Sequence, residues 1–166
     1  MGDWPLTLSS NIQTVGQNYA SSRGTTVTAS ASANVKGAWS QIVASTPIAA
    51  KTIIIDFRCS LNGGFLVDVG IGASTVETVI IANLIAARFQ SNSNYSFPIS
   101  IPAGSRISAR AQATTGSDAL FVLVMLLSHG FAGTSFSRVT GYGVATADSG
   151  ATQVDPGATA NTKQAW

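Results

Sequence analysis

The stretch that decides the fold runs from Lys51 to Ile71 and reads KTIIIDFRCSLNGGFLVDVGI. Two runs rich in isoleucine, valine and phenylalanine flank the turn residues Leu61-Asn62-Gly63-Gly64. Short apolar runs of this kind, bounded by turn residues, are typical of buried β-strands. We therefore predict strands over residues 51–59 and 65–71, and the Asn-Gly signal favours a hairpin between them.

The predicted hairpin places two carboxylates on facing strands. Asp56 lies in the first run and Asp68 in the second, so the two side chains can approach one another. A pairing of Asp56 with the nearby Arg58 or Lys51 is the simpler expectation, because neighbouring opposite charges on a surface commonly pair.

Similar runs continue along the whole middle of the chain. Pro98 places one of them at a sheet edge or a bulge, because proline cannot donate to a strand ladder. About eight strands with short turns and no amphipathic helix indicate an all-β antiparallel sandwich or barrel. The other predicted strands cover residues 25–29, 39–44, 77–86, 95–101, 105–113 and 120–127.

The two ends of the chain differ in composition from this middle. Residues 1–22 and 131–166 are rich in serine, threonine, glycine and alanine, with few large apolar side chains. Such segments are either disordered or ordered by lying across a neighbour. We therefore predict an N-terminal arm over residues 1–22, a sandwich over residues 23–130, and a C-terminal arm over residues 131–166.

The chain carries very little charge. Only 10% of its 166 residues are charged, against about 25% in an ordinary soluble domain. The net charge is +2, and the basic residues are scattered, with Arg106 and Arg110 the nearest to a pair. Nucleic-acid binding is therefore not expected. A surface so poor in charge is typical of one that partners cover.

No constellation of catalytic or ligand-binding residues is evident. The single histidine, His129, ends a strand; the seven acidic residues are dispersed; and Gly70-Ile71-Gly72 lacks the rest of a phosphate loop. Cys59 is the only cysteine and lies in an apolar run, as a buried small side chain would. We predict no enzyme, no cofactor and no metal site.

Membrane insertion is not expected either. The N-terminus lacks the basic and apolar regions of a signal peptide. The longest apolar run, residues 119–127, is about half the length of a membrane-spanning helix.

One internal repeat stands out. Residues 22–39, SRGTTVTASASANVKGAW, align without a gap with residues 149–166, SGATQVDPGATANTKQAW, and share Asn-x-Lys-x-Ala-Trp. The repeat is either the remnant of a tandem two-domain ancestor or a segment that docks on a neighbouring subunit by strand addition.

Two segments carry a resemblance to a known group of proteins. They are ANVKGAWSQIVAST over residues 33–46 and SFPISIPAGSRISAR over residues 96–110. In this order and spacing they resemble a group of tailed-bacteriophage structural proteins. The resemblance implies a jelly-roll-like β-sandwich on the virion, either as a capsid cement protein or as a fibre or spike module.

We therefore expect a virion structural protein that decorates the capsid surface, bridges subunits of the major capsid protein, and is made in the host cytoplasm. A capsid cement protein should have a compact β domain, low charge and extended arms, and the resemblance implies a homo-oligomer, usually a trimer at three-fold positions. The alternative is a head-fibre, spike or tail-fibre module that recognises a host-surface glycan through aromatics such as Tyr95 or Tyr142. A cellular lectin-like module would fit the fold but would explain neither arm.

The expected interface lies in the arms and on the two arginines. Trp4, in Asp3-Trp4-Pro5, has the character of an aromatic anchor, whereas Trp39 at a strand start is explained by core packing. The predicted interface residues are Asp3, Trp4, Pro5, Arg106, Arg110, Asn161, Lys163 and Trp166.

Overall fold

The computed structural model describes residues 12–18, 20, 23–59, 64–86, 93–128, 135–145 and 150–151. Over these residues the chain forms strands and no helix, so this part contains no membrane-spanning helix. The strands are β1 (Ile12–Val15), β2 (Gln17–Asn18), β3 (Arg23–Thr28), β4 (Ser40–Val43), β5 (Thr52–Cys59), β6 (Phe65–Ile71), β7 (Thr78–Ala86), β8 (Ser93–Phe97), β9 (Ile107–Ala113), β10 (Ala119–Leu127), β11 (Val139–Thr140), β12 (Val144–Ala145) and β13 (Gly150–Ala151).

The long strands form two sheets. The first sheet has the order β2-β3-β10-β5-β8, with β1 also pairing with β10. The second sheet has the order β11-β7-β6-β9-β4, and β12 pairs with β13 as a separate hairpin. Core residues of both sheets form one buried cluster, so the two sheets make a β-sandwich.

The strand order is that of a jelly roll. The pairs β3–β10, β4–β9, β5–β8 and β6–β7 are nested in the sequence and fall in pairs into the two sheets. The four nested pairs can be described as one long antiparallel hairpin, with β6 and β7 at its closed end, that is folded around the core. All eight strands predicted from the sequence are present, which confirms the all-β sandwich.

The predicted hairpin of residues 51–59 with 65–71 is wrong. β5 pairs with β10 and β8 in the first sheet, whereas β6 pairs with β7 and β9 in the second. Each of the two strands still buries an apolar face in the core, but they do so from opposite sheets.

The two aspartates of that predicted hairpin therefore lie in different sheets. Asp56 instead lies beside Arg58, at 3.4 Å from Oδ2 to Nε, as the simpler expectation had it. Pro98 follows β8, which is the last strand of its sheet, so its predicted place at a sheet edge is confirmed.

The core lies between the two sheets and follows the alternation of the strands. Every second residue of β9 is a buried alanine or isoleucine, and every second residue of β10 is a buried leucine or valine. Each large side chain buried there contributes about 1.5–3 kcal/mol. The largest fully buried core side chains include Ile53, Ile55, Phe57, Phe65, Ile81, Ile107, Leu120 and Leu126.

Described parts of both predicted arms lie on the sandwich itself. β1 pairs antiparallel with the end of β10, from Ile12 opposite Leu127 to Val15 opposite Val124. On the other side, the N–H of Phe136 donates to the Pro98 carbonyl, and β11 pairs in parallel with β7. These contacts cover sheet edges that would otherwise be open to further strands.

Candidate functional site

The outer face of the second sheet, which points away from the core, is built around Asp68. Phe65, Val67 and Val69 of β6 belong to the core, so Asp68 between them points outwards. Its carboxylate is nevertheless buried, with 5% of the side chain exposed. A buried carboxylate requires charge partners and hydrogen bonds, and Asp68 has both.

Three donors bind the Asp68 carboxylate. Lys36 Nζ lies 2.8 Å from Oδ1, and Arg110 Nε lies 2.9 Å from Oδ2. The backbone N–H of Asn83 donates to Oδ1 at 2.9 Å. We call these four residues, together with Trp39, the Asp68 cluster.

Each partner reaches Asp68 because of a specific local structure. Arg110 is directly opposite Asp68 in the β6–β9 ladder. Residues 82 and 83 of β7 face the single residue Asp68 across a register shift, and Asn83 has a positive φ of 55°. Such a bulge leaves one backbone N–H without a partner on the neighbouring strand, and here the Asn83 N–H donates to the Asp68 carboxylate instead.

Lys36 comes from the loop between β3 and β4. This loop is held against β9, because Asn34 N–H donates to the Ala113 carbonyl and Gly37 N–H to the Ala111 carbonyl. Lys36 Nζ also donates to the Leu66 carbonyl at 3.0 Å. The lysine therefore fastens the loop across the outer face.

Trp39 completes the cluster from above. The Arg110 guanidinium lies 4.7 Å from the centre of the Trp39 ring, a cation–π contact. Trp39 is half-buried and lies outside the core between the sheets, so its assignment to core packing is wrong. Trp39 precedes β4, which is an edge strand of the second sheet, and its indole packs on the outer face of that sheet instead of in the core.

Burial and hydrogen bonding act in opposite directions on the charged groups. Burial opposes ionisation of Asp68, but the hydrogen bonds from Lys36, Asn83 and Arg110 outweigh it and hold its pKa below the ordinary value. Burial is the largest effect on Lys36 and lowers its pKa in spite of Asp68. Every oxygen of Asp68 is bound, so this arrangement fastens the loop to the sheet.

A second ion pair lies at one end of the same sheet. Arg106 Nη1 lies 2.6 Å from Glu77 Oε1, and Arg106 Nε donates to Gln41 Oε1 at 3.0 Å. Desolvation works against the Glu77 carboxylate, but the hydrogen bond from Arg106 and nearby backbone donors hold its pKa below the ordinary value. Arg106 thereby joins the start of β9 to β4 and to the β6–β7 loop.

An open groove of about 580 Å³ borders this pair. Residues of the β6–β7 loop and of the turn before β9 form its walls, and one charged side chain, Arg106, faces it. The lining residues are Ile71, Gly72, Ala73, Thr78, Pro102, Gly104, Ser105 and Arg106.

Two of the predicted interface residues fall within the described structure. Arg106 immediately precedes β9 and Arg110 lies within it, and they bind different carboxylates, Glu77 and Asp68. Both arginines therefore make ion pairs within the second sheet and its loops. The other predicted interface residues, Asp3, Trp4, Pro5, Asn161, Lys163 and Trp166, lie outside the described residues.

Sequence reasoning missed Asp68, Lys36 and Glu77 as partners of these arginines. One signal was present for Asp68, a lone charge within the apolar run FLVDVGI. Another was present for Lys36, which the repeat shares with position 163. The two segments that carry the phage resemblance meet here, since Lys36 and Trp39 come from the first and Arg110 from the second.

Cys59 is partly buried at the rim of the core, and burial raises the pKa of its thiol. Within the described ranges, no group of three or more histidine, cysteine or acidic side chains is placed to hold a metal ion. The sequence matches no protein family model, and comparison with curated proteins and with solved structures found no similar protein.

Proposed function

We propose that this chain is a virion structural protein, a capsid decoration protein that binds the outer capsid surface and bridges subunits of the major capsid protein. The proposal rests on the phage resemblance of residues 33–46 and 96–110, and on one structural observation. That observation is the pairing of seven charged side chains with one another in the sandwich.

The charge pairing leaves a surface suited to permanent contact. Three carboxylates, Asp56, Asp68 and Glu77, take up four of the nine basic side chains. A fifth basic side chain, Arg23, lies over the Phe121 ring at 4.8 Å. Interfaces that stay assembled are depleted in charge at their centre, and a surface of uncharged polar and small residues meets that requirement.

Ion pairs that tie loops to the second sheet also suit a protein that bridges two neighbours. The Asp68 cluster fastens the β3–β4 loop, and Arg106 fastens the β6–β7 loop. A rigid block that bridges two neighbouring subunits stabilises the shell, because the first contact raises the effective concentration for the second. A homotrimer would place three such blocks around a three-fold position of the lattice.

Cryo-electron microscopy of particles that carry the chain tests the proposal. Density spread over the capsid lattice is expected, together with release of the genome at a lower temperature from particles assembled without the chain. Density confined to the tail or to isolated spikes contradicts the proposal. Light scattering on the purified chain tests the trimer separately.

A truncation tests the predicted N-terminal anchor. Removal of residues 1–11 takes away Asp3, Trp4 and Pro5 but keeps β1 on β10, whereas removal up to residue 22 would also strip β1 from the sheet. The shorter truncation is expected to fold and to occupy fewer capsid sites. Full occupancy by the truncated chain would exclude this segment as the anchor.

One observation favours the alternative, glycan recognition by a fibre or spike module. Tyr142 is 90% exposed, and exposed aromatic rings are common platforms for sugars. Glycan-array binding that Tyr142→Ala abolishes would support this alternative. Binding unchanged in Tyr142→Ala would exclude the ring as the platform.

A further inference from the structure

The internal repeat extends further in the structure than in the sequence. In the first hairpin, Gln17 pairs with Gly24 and Asn18 with Arg23. In the second, Val144 pairs with Ala151 and Ala145 with Gly150. Each residue of the second hairpin stands 127 positions after its counterpart in the first. The two hairpins share this register although their strands share little sequence.

The backbone before each hairpin is repeated as well. Gly16 precedes the first hairpin with a φ of +78°, and Gly143 precedes the second with a φ of +72°. A short strand comes before each glycine, β1 in one case and β11 in the other. We call residues 12–24 the lead-in hairpin and residues 139–151 the C-terminal hairpin.

The two hairpins occupy different edges of the same sandwich. β1 and β3 of the lead-in hairpin pair with β10, whereas β11 of the C-terminal hairpin pairs with β7. Val15 of the lead-in hairpin is 8% exposed, in the core, but its counterpart Tyr142 is 90% exposed. The C-terminal hairpin therefore repeats the backbone of the lead-in hairpin but packs at a different position on the sandwich.

A duplicated edge segment creates a hazard of strand exchange. The repeat keeps the side chains that dock the first copy, since Val154, Lys163 and Trp166 match Val27, Lys36 and Trp39. An identical element from a second chain commonly replaces the native one in swapped dimers. Nothing in these matched side chains would prevent such a replacement.

At three other positions the repeat differs from residues 22–39 in ways that oppose the replacement. Gly24 packs so closely on β10 that a β-carbon would lie 2.3 Å from the Val122 carbonyl oxygen, and its counterpart is Ala151. At Gly37 a β-carbon would lie 2.4 Å from the Thr28 carbonyl oxygen, and its counterpart is Gln164. Real β-carbons do not approach backbone atoms so closely.

The third position acts through a hydrogen bond. The N–H of Ala29 donates to the Asp118 carbonyl at 2.8 Å. Its counterpart in the repeat is Pro156, and proline has no N–H. A repeat placed on β10 would thus leave that carbonyl without its donor.

We propose that Ala151, Pro156 and Gln164 bar residues 139–166 from replacing residues 12–39 beside β10 of a second copy of this chain. Identical chains then associate through their surfaces and exchange no strands. This proposal goes beyond the proposed function, and capsid binding can fail or succeed independently of it.

A pair of cysteine probes tests the proposal in the full chain, with Cys59→Ala throughout. Thr26 is opposite Phe121 in the β3–β10 ladder, and the counterpart of Thr26 is Gln153. Phe121→Cys with Thr26→Cys reports the native arrangement, and Phe121→Cys with Gln153→Cys reports exchange. Each chain is unfolded, refolded at high concentration and oxidised, and disulfides are identified by peptide mapping.

In the native probe, the 26–121 disulfide is expected to form within single chains. In the exchange probe, the two cysteines are expected to remain reduced. Addition of Ala151→Gly, Pro156→Ala and Gln164→Gly to the exchange probe should raise the 121–153 disulfide about tenfold or more, as intermolecular dimers. A 121–153 disulfide without those changes overturns the proposal. If the 121–153 disulfide is still absent after all three changes, the proposal is also overturned, because other residues must then prevent the exchange.

Discussion

The indole of Trp39 lies against Gly70, so that a β-carbon on Gly70 would be 2.9 Å from the Trp39 Cη2 atom. Glycine in the middle of a strand costs stability through backbone entropy, and close approach of another group explains its presence. The close contact with the Trp39 indole therefore explains the glycine at position 70.

Gly70→Ala is expected to destabilise the fold by about 1–3 kcal/mol, because the added methyl pushes Trp39 off the sheet. Urea denaturation gives the free energy of unfolding. Trp39→Ala provides the matched background, in which Gly70→Ala should cost clearly less. Equal costs in both backgrounds would show that Trp39 does not lie against Gly70.

Asp68→Asn should lower the free energy of unfolding by up to about 3 kcal/mol, because it removes the carboxylate that pairs with the partly exposed Lys36 and Arg110. Asp56→Asn is the matched control on the other sheet. Its partner Arg58 is 50% exposed, and surface pairs contribute about 0–1 kcal/mol. Similar losses in the two variants would contradict a central role of Asp68.

The lowered pKa of Asp68 predicts a loss of stability in acid. The unfolded chain takes up the proton near the ordinary pKa of about 3.9, whereas the folded chain takes it up only at lower pH. Stability from this group is therefore complete above about pH 4 and is lost as the pH falls through the folded pKa. Glu77 acts in the same direction.

Denaturation midpoints measured from pH 7 to pH 2 check this prediction. The unchanged chain should lose stability below about pH 4, and Asp68→Asn should show a shallower decline. An identical acid slope in the two chains would assign the pH dependence to other carboxylates.

Thr46→Val should cost about 1–3 kcal/mol through a loop contact far from the Asp68 cluster. The buried Thr46 hydroxyl donates to the Pro102 carbonyl at 2.9 Å and accepts from Ser105 N–H at 3.0 Å, and valine does neither. Thr26→Val on the exposed side of β3 is the control, with an expected change within about 0.5 kcal/mol. Thermal unfolding compares the two; equal effects would contradict the contact.

The strands could be predicted from sequence because buried and exposed residues alternate along each strand, and this alternation is visible in the sequence itself. β9 alternates buried alanines with Ser108, Arg110 and Gln112, and turn residues bound it on both sides. The pairing of strands could not be predicted, because the periodicity of β5 and β6 shows that both are buried and not which sheet each one joins. The Asn-Gly turn signal pointed to the wrong partner for the same reason.

The Asp68 cluster lay beyond local reasoning. Lys36 and Asp68 are 32 residues apart, and Arg110 follows Asp68 by 42. Only the ladder that sets β9 beside β6 brings them together. The repeat was visible where residues 22–39 match residues 149–166. Before these segments the two copies share Gly16 and Gly143 but few other residues, so the backbone geometry is what shows that the repeat continues.

The nested order of the strand pairs also affects the order in which the strands are expected to pair during folding. β6 and β7 are separated by a short loop and can join early, whereas β3 meets β10 only after the ends of a long segment have been brought together, from Thr28 to Ala119. Closing loops of that length is slow, and folds dominated by such contacts fold in milliseconds to seconds. We therefore expect the edge of β10 that pairs with β3 to be filled last, after an interval in which residues 12–39 and their duplicate at residues 139–166 are both available to it. Ala151 would matter most during that interval, before β3 has paired with β10.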